Sequence, residues 1–433
     1  MMTISYTDIQ RLFEQRKNNP LFNTSYPLSP GDWAKYSTSG TLSFDASKPI
    51  AFYLHIPFCR QICSFCEYTK MCVPDTEKQR NYISTLIRDI ERFVEKYPEW
   101  KFYGFDIGGG TPTALDSEVF SELMIWYKHF IGERTVTDRF EPSIEGTFDS
   151  MVSDYQGYHK SRLIAKAGIK RLSLGIQSTS NIVLKPLHRN PISCKEMVEA
   201  IEEWHRLGIS KINLDLMYGL PGQTVENIRK DIEVIRMLNP EQVTVYEFRT
   251  NQLHAPYKTD NDTCFTQYCE LYEGLIRLGY YGEFGRNTFS RDAHDMGLSS
   301  YLRHRMFDGW QYKGFGISAQ SMSEYGVSYN MGKNESIGKL IDNHSYESIA
   351  YYNLPSNELL NKFIAISGYS GGFSISVAKR LFGEDFATRY NHILHFLIDE
   401  KLATISGDRL QLAKIGFRHY GAILSLFYSL GTV

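Results

Sequence analysis

Long apolar runs are missing from this chain. No stretch of 18 apolar residues occurs, and the amino-terminal "MMTISYTDIQRLFEQRKNNP" has no signal-peptide pattern. A membrane-spanning helix is therefore not expected, and the cytoplasm is the expected location. An excess of one charge is missing too: 47 Lys and Arg face 49 Asp and Glu, a formal net charge of -2. Without a global positive field, neither nucleic acid nor an anionic membrane is an expected partner. A disulfide framework is also lacking, because the seven cysteines are odd in number and Cys72, Cys194, Cys264 and Cys269 are scattered. There is no internal repeat and no low-complexity segment. What is present is a 433-residue chain, 42% hydrophobic and 14% aromatic. That suffices for one large α/β domain with a smaller appendage.

Short β-branched or apolar runs recur at 50–56, 102–108, 141–146, 170–176, 211–219 and 242–248, and read as six buried strands. Helical periodicity fills the intervals. In "TEKQRNYISTLIRDIERFVEKY" (76–97), Ile83, Leu86, Ile90 and Phe93 share one face; "SCKEMVEAIEEWHRLG" (193–208) opens on a serine cap and closes on Gly208; "VENIRKDIEVIRMLNP" (225–240) stops at a proline. This alternation predicts consecutive right-handed βαβ units. Six are too few for the usual eight-stranded barrel, so the expected fold class is α/β, a partial (β/α)6 barrel working at the C-terminal ends of its strands. A doubly wound open sheet is the alternative.

Four regions are expected: an N-terminal helix and arm over 1–49, the partial barrel over 50–260, a substrate-covering extension over 261–350, and a C-terminal module over 351–433. After residue 250 the alternation fades. From about 355 two helical segments and a hairpin signal, "LATISGDRLQLAK" with Gly407-Asp408 at its tip, predict a winged-helix-like module. Residues 355–433 hold eight Lys and Arg against six Asp and Glu, too small an excess for a DNA reader.

The chemistry concentrates in "HIPFCRQICSFCEYTK", residues 55–70, where Cys59, Cys63 and Cys66 follow directly on the first strand. Three thiolates and a fourth ligand, His55 or Cys72, would suit tetrahedral zinc. Three thiolates alone would suit a [4Fe-4S] cluster with one iron left open to an external ligand.

The C-x3-C-x2-C spacing with an aromatic residue before the last cysteine, followed by "IGGGTPT" (107–113), resembles the radical S-adenosylmethionine (SAM) superfamily. With "RLSLGIQS" (171–178), "INLDLMYGLPGQT" (212–224) and "GFGISAQSM" (314–322), the resemblance narrows to the oxygen-independent coproporphyrinogen III oxidase and haem-chaperone group. It implies a [4Fe-4S] cluster on Cys59, Cys63 and Cys66, and one or two SAM molecules cleaved to a 5'-deoxyadenosyl radical. A reductase such as flavodoxin or ferredoxin would deliver the electron. Gly109, Gly110 and Thr111 are expected to border the methionine end of SAM. Glu145, Gln177, Arg189 and Asp215, with Tyr53 and Phe65 beside the cluster, are expected to contact SAM, and Arg249 and Gln320 complete the cofactor-facing set.

The substrate implied is a porphyrinogen or haem. For a tetracarboxylate, Arg249, Arg303 and Arg305 offer cations, although surface solvation is the default role of any single one. The arm Thr24–Pro27 and the "GISAQSM" stretch favour the oxidase, which decarboxylates propionates to vinyl groups. Against it, Tyr68 stands where the oxidase pattern has a further cysteine, and Phe22-Asn23 replaces the arm's usual arginine. Radical methyl transfer and haem delivery are the alternatives.

Overall fold

The structure is a computed structural model, and it describes residues 5–17, 26–27, 31–152, 159–189, 191–248, 259–309, 311–332, 337–383 and 386–430. The six expected strands form: β1 (Ile50–Ile56), β2 (Lys101–Gly109), β3 (Ser143–Gly146), β4 (Arg171–Gln177), β5 (Lys211–Tyr218) and β6 (Gln242–Glu247). They lie side by side in chain order, every pairing parallel. A doubly wound sheet would reverse its strand order at a switch point. No reversal occurs from β1 to β6, so the winding is that of a barrel. The sheet stays open, however: beyond β6 it ends on the antiparallel β7 (Thr288–Ser290).

On the other side of β1 stands a strand the sequence pattern does not reveal. β8 (Tyr312–Phe315) pairs with β1 in parallel, giving a seventh parallel strand, and turns back through β9 (Gln320–Ser323) and β10 (Gly326–Tyr329). Its four residues include Gly314, where a Cβ would lie 2.4 Å from the Gln320 carbonyl oxygen. The tight β8–β9 return requires that glycine, and the short glycine-containing run shows no strand period.

Helices cover the sheet where their apolar faces predict. α1 (Thr76–Lys96) buries Ile83, Leu86, Ile90 and Phe93. Phe93 meets Phe52 of β1 and Phe315 of β8 at ring centroid distances of 5.7 and 5.8 Å. Each such ring removed from water contributes roughly 2 kcal/mol. α2 (Ser117–Gly132) follows β2. α3 (Cys194–Arg206) begins with a reciprocal capping box between Ser193 and Glu196, and α4 (Val225–Leu238) with one between Thr224 and Asn227. Asn239, left-handed at φ 47°, ends α4 before Pro240.

The C-terminal module has winged-helix order: helix Ser356–Gly368, strand Gly372–Ser374, helices Ile375–Phe382 and Phe386–Asp399, then the hairpin Ala403–Ser406 and Arg409–Leu412. It is tied to the N-terminal region. Arg16 of helix Tyr6–Arg16 donates to the Ser425 carbonyl at 2.8 Å, and Tyr26 donates to the buried Glu358, whose carboxylate also accepts from Trp33 Nε1 at 3.1 Å. Among the described residues, no helix is long and apolar enough to cross a membrane.

One contact sets a wall of the site. Helix Ser300–Arg303 crosses β2 at Gly104, where a Cβ would lie 2.4 Å from the Tyr301 amide nitrogen and 2.7 Å from its Cα. Backbone cannot swing aside as a side chain can. Gly104→Ala should therefore lift this helix and destabilise the protein by about 1–3 kcal/mol, measurable by urea unfolding. The helix continues as a π turn, His304–Asp308. His304 is fully buried, its Nε2 3.0 Å from the Gln311 carbonyl, and burial pushes its pKa down to about 3. The unfolded chain then takes up a proton that the folded chain refuses, so stability from this group falls as pH drops through the unfolded value near 6.5. Between about pH 7.5 and 5.5 the loss should be about 1.4 kcal/mol. Comparing wild type with His304→Gln by chemical unfolding at both pH values should isolate it, since the opposing slopes of buried carboxylates are common to both proteins.

Candidate functional site

Pro57 follows β1 and ends its ladder. The chain then leaves as the two-residue strand Phe58–Cys59, which pairs in parallel with Met71–Cys72 and closes the cysteine loop between them. The loop overhangs a cavity of ≈ 1240 Å³ at the C-terminal ends of the parallel strands, lined by Cys59, Cys63 and Cys66. Gly110 N–H donates to the Ile56 carbonyl and Thr111 N–H to the Phe58 carbonyl, both at 2.8 Å, so the glycine run is stitched beside the cysteines. Only glycine fits here. At Gly109, with φ 117°, a Cβ would lie 2.7 Å from His55 Nδ1, and at Gly110 2.9 Å from Cys59 Sγ.

The donor set discriminates between the two metal readings. Among the described residues, no three His, Cys, Asp or Glu side chains converge on a point for one ion. Cys72 is exposed, and His55 holds the Thr69 carbonyl through Nε2 at 2.9 Å. Neither His55 nor Cys72 is thus presented as the fourth ligand of a zinc site, whereas a cuboidal cluster takes each thiolate at a different iron and suits three half-buried thiols around one cavity. The sulfurs already have polar neighbours: Arg189 reaches Cys63 Sγ at 3.4 Å and Thr111 Oγ1 reaches Cys59 Sγ at 3.6 Å. Burial pushes the Cys59 and Cys66 thiols up, so a bound metal group would displace their protons.

Acidic side chains face the same space. Glu145 on β3 accepts from Gly109 N–H at 3.0 Å, and a Cβ at Gly108 would collide with it at 2.6 Å. Burial, helped by the charge of Asp215, raises Glu145 to about 7 against the pull of Arg171. Asp215 is raised by burial but relieved by Arg171 and by hydrogen bonds from Asn213, at 2.8 Å, and Ser173. Asp106 on β2, not singled out from sequence, is raised by burial to about 8 and keeps Oδ1 without a partner. Arg171, fully buried on β4, supplies the cation beneath these carboxylates. Three carboxylates lining one cavity favour a cationic occupant.

β4 ends in an irregularity that presents two more groups. Gln177 is left-handed at φ 63°, and Arg189 anchors on the Gly175 carbonyl at 2.6 Å. A Cβ at Gly175 would lie 2.6 Å from Gln177 Nε2. Tyr53 of β1 and Gln320 of β9 line the cavity from the other side, and Phe65 from the cysteine loop. Every expected site residue within the described part thus borders this one space; Arg249 lies outside the described residues. So do Thr24 and Phe22-Asn23. Tyr26, the described tyrosine of the arm, packs on Tyr428 at 4.8 Å and does not line the cavity.

The sequence left the aromatic wall unread. Tyr301 stacks on Tyr53 at 5.4 Å and meets Tyr312 edge-on at 5.8 Å. Tyr246 comes from β6 and Tyr369 from the C-terminal module. Tyr68, 67% exposed, presents its surface to the cavity interior. Arg305 also lines the cavity and is half-buried, which corrects its default reading as a solvated surface charge; Arg303 does not line it. No local pattern flags these residues, because they reach the site from elements as far apart as Tyr53 and Tyr369, 316 positions.

Comparison with known proteins accords with this geometry. Residues 53–235 match the profile of the radical SAM superfamily. An oxygen-independent coproporphyrinogen III oxidase of Cereibacter sphaeroides is 27% identical over 329 residues, 71% of this chain and 70% of that protein. The haem chaperone HemW of Buchnera aphidicola is 30% identical over 240 residues, 54% of this chain, and the match spans only 60% of that chaperone's length. Among solved structures, the coproporphyrinogen III oxidase HemN of Escherichia coli superposes with a TM-score of 0.68 at 20% identity, covering 88% of this chain and 90% of that one. Residues 53–235 thus resemble the radical SAM superfamily, and the chain has a HemN-like fold.

Proposed function

We propose that the cavity is the active site of a radical enzyme acting on a pyrrolic macrocycle, with oxidative decarboxylation of porphyrinogen propionates as its reaction. The observation that carries this reading is that the three cysteines, the glycine run and the strand-end carboxylates border a single cavity. Cys59, Cys63 and Cys66 would hold a [4Fe-4S] cluster. When bound, the cluster and SAM supply a 5'-deoxyadenosyl radical able to take a hydrogen atom from an unreactive carbon.

The chain's own groups bind and orient. Gly109, Gly110 and Thr111 leave room and backbone N–H groups for the amino-acid end of SAM. Glu145 and Asp215, acceptors when ionised, suit its ammonium and ribose hydroxyls, and Arg189 suits its carboxylate. Gln177 adds an amide from its left-handed turn. Tyr53, Phe65 and Gln320 face the same space, the rings providing apolar surface that excludes water. A cationic cofactor would also lower the pKa of Glu145 by neutralising the charge it faces.

A second reading is favoured by Tyr68, which projects into the cavity at the place of the oxidase's further cysteine. If the cavity takes two SAM molecules, methyl transfer is then the competing outcome. Haem delivery, the role named for the HemW relatives, is the third.

Anaerobically reconstituted protein given reductant, SAM and coproporphyrinogen III should release CO2 and 5'-deoxyadenosine. S-adenosylhomocysteine with a heavier product would instead establish methyl transfer, and tight haem binding without either would establish delivery. Cys63→Ala should bring 5'-deoxyadenosine formation to background while leaving thermal unfolding close to wild type; cleavage of SAM at the wild-type rate would remove the cysteine assignment. Tyr68→Cys should shift the ratio of 5'-deoxyadenosine to S-adenosylhomocysteine, read by chromatography of the same reaction.

A further inference from the structure

Arg305 carries a charge that no described carboxylate answers. Its Nη1 lies 3.3 Å from the Tyr301 hydroxyl and its Nη2 3.2 Å from Gln320 Oε1, while its Nε is buried without any described partner. The guanidinium stands 5.0 Å from the Tyr312 ring centroid. Among the described residues, no carboxylate pairs with it. The other cations around the cavity are committed elsewhere: Arg60 pairs with Asp149 at 3.3 Å, Lys70 donates to the Cys66 carbonyl, and Arg189 is held at the Gly175 carbonyl and Cys63.

A guanidinium has five N–H donors in a planar fork, and two neutral acceptors at these distances leave most of that capacity unused. Its neighbours are themselves fixed. Gln320 Oε1 also accepts from Tyr312 Oη at 3.0 Å, and Gln320 Nε2 donates to Tyr329 Oη at 2.9 Å. The network therefore cannot turn to supply a negative charge, and it presents Arg305 in one orientation. The group sits on a π turn, a backbone irregularity that recurs at functional sites, and beside it Tyr53 and Tyr301 form a stacked aromatic face.

Resting on the reading of the site given above, we propose that Arg305 anchors a substrate carboxylate, and that the substrate is a flat pyrrolic or aromatic acid laid along the Tyr53–Tyr301 face. One carboxylate would meet this fork. Arg305 is thus a specificity residue, acting through binding and remote from the cysteine loop in sequence.

The test uses cluster-reconstituted full-length protein, titrated anaerobically with coproporphyrin III and, separately, its tetramethyl ester, with binding followed by porphyrin fluorescence. Wild type should prefer the acid by about tenfold or more, as expected for a charge-assisted hydrogen-bonded pair. Arg305→Gln should bring the acid-to-ester ratio to about one, and Arg305→Lys should leave an intermediate ratio, because it keeps the charge but not the fork. Taking the ratio within each protein separates recognition from any loss of folding, which weakens both ligands alike. A wild-type ratio near one, no binding of the acid by wild type, or a ratio unchanged in both variants overturns the anchor. The SAM-induced change in the electron paramagnetic resonance spectrum of the reduced wild-type cluster reports separately on the cysteine site. If that change is present and the ratio does not move, the anchor alone fails; if it is absent, the reading of the site fails with it.

Discussion

The site depends on a close approach of two backbones. The end of β1 and the glycine run after β2 are joined by Gly110 N–H to Ile56 and Thr111 N–H to Phe58, and the gap between them is too small for a methyl group at Gly109 or Gly110. That seam brings Cys59 beside Thr111 and places Gly109 N–H against Glu145. A side chain at either glycine would move the cysteine loop relative to the strand ends. Thiols and carboxylates would then no longer share a space.

The second constraint is electrostatic. Asp106, Glu145 and Asp215 line one cavity with Arg171 buried beside them, and desolvation raises the pKa of all three carboxylates. Such an arrangement is unfavourable for the protein alone and favourable for it with a cation bound. Binding and function are therefore linked through the same desolvation. The polar network of Asn213, Ser173 and Thr244 relieves Asp215 and holds it aimed at the opening.

The sequence was legible where structure follows from short-range period or local spacing. Six parallel strands, the helices after them, the serine cap at 193 and the hairpin turning at Gly407-Asp408 all come from alternation, capping residues and turn glycines, and they form as read. The cysteine triplet and the glycine run are compact motifs, so they too stand out. β8 was missed because four residues containing Gly314 carry no period, and its place beside β1 is fixed by tertiary pairing. Asp106, Tyr301, Arg305 and Tyr369 were missed or undervalued for a related reason. Each is an ordinary residue in its own segment and acquires meaning only from neighbours distant in the chain.

Tyr369 carries a consequence for the architecture. It lines the cavity from the winged-helix module, whose Gly371 approaches Gly285 so closely that a Cβ would lie 2.8 Å from its carbonyl carbon. Tyr268 and Phe417 add ring packing at 4.5 Å across the same seam. The module is therefore part of the chamber's enclosure, not a separable accessory. Excising it would open that side of the cavity to bulk solvent.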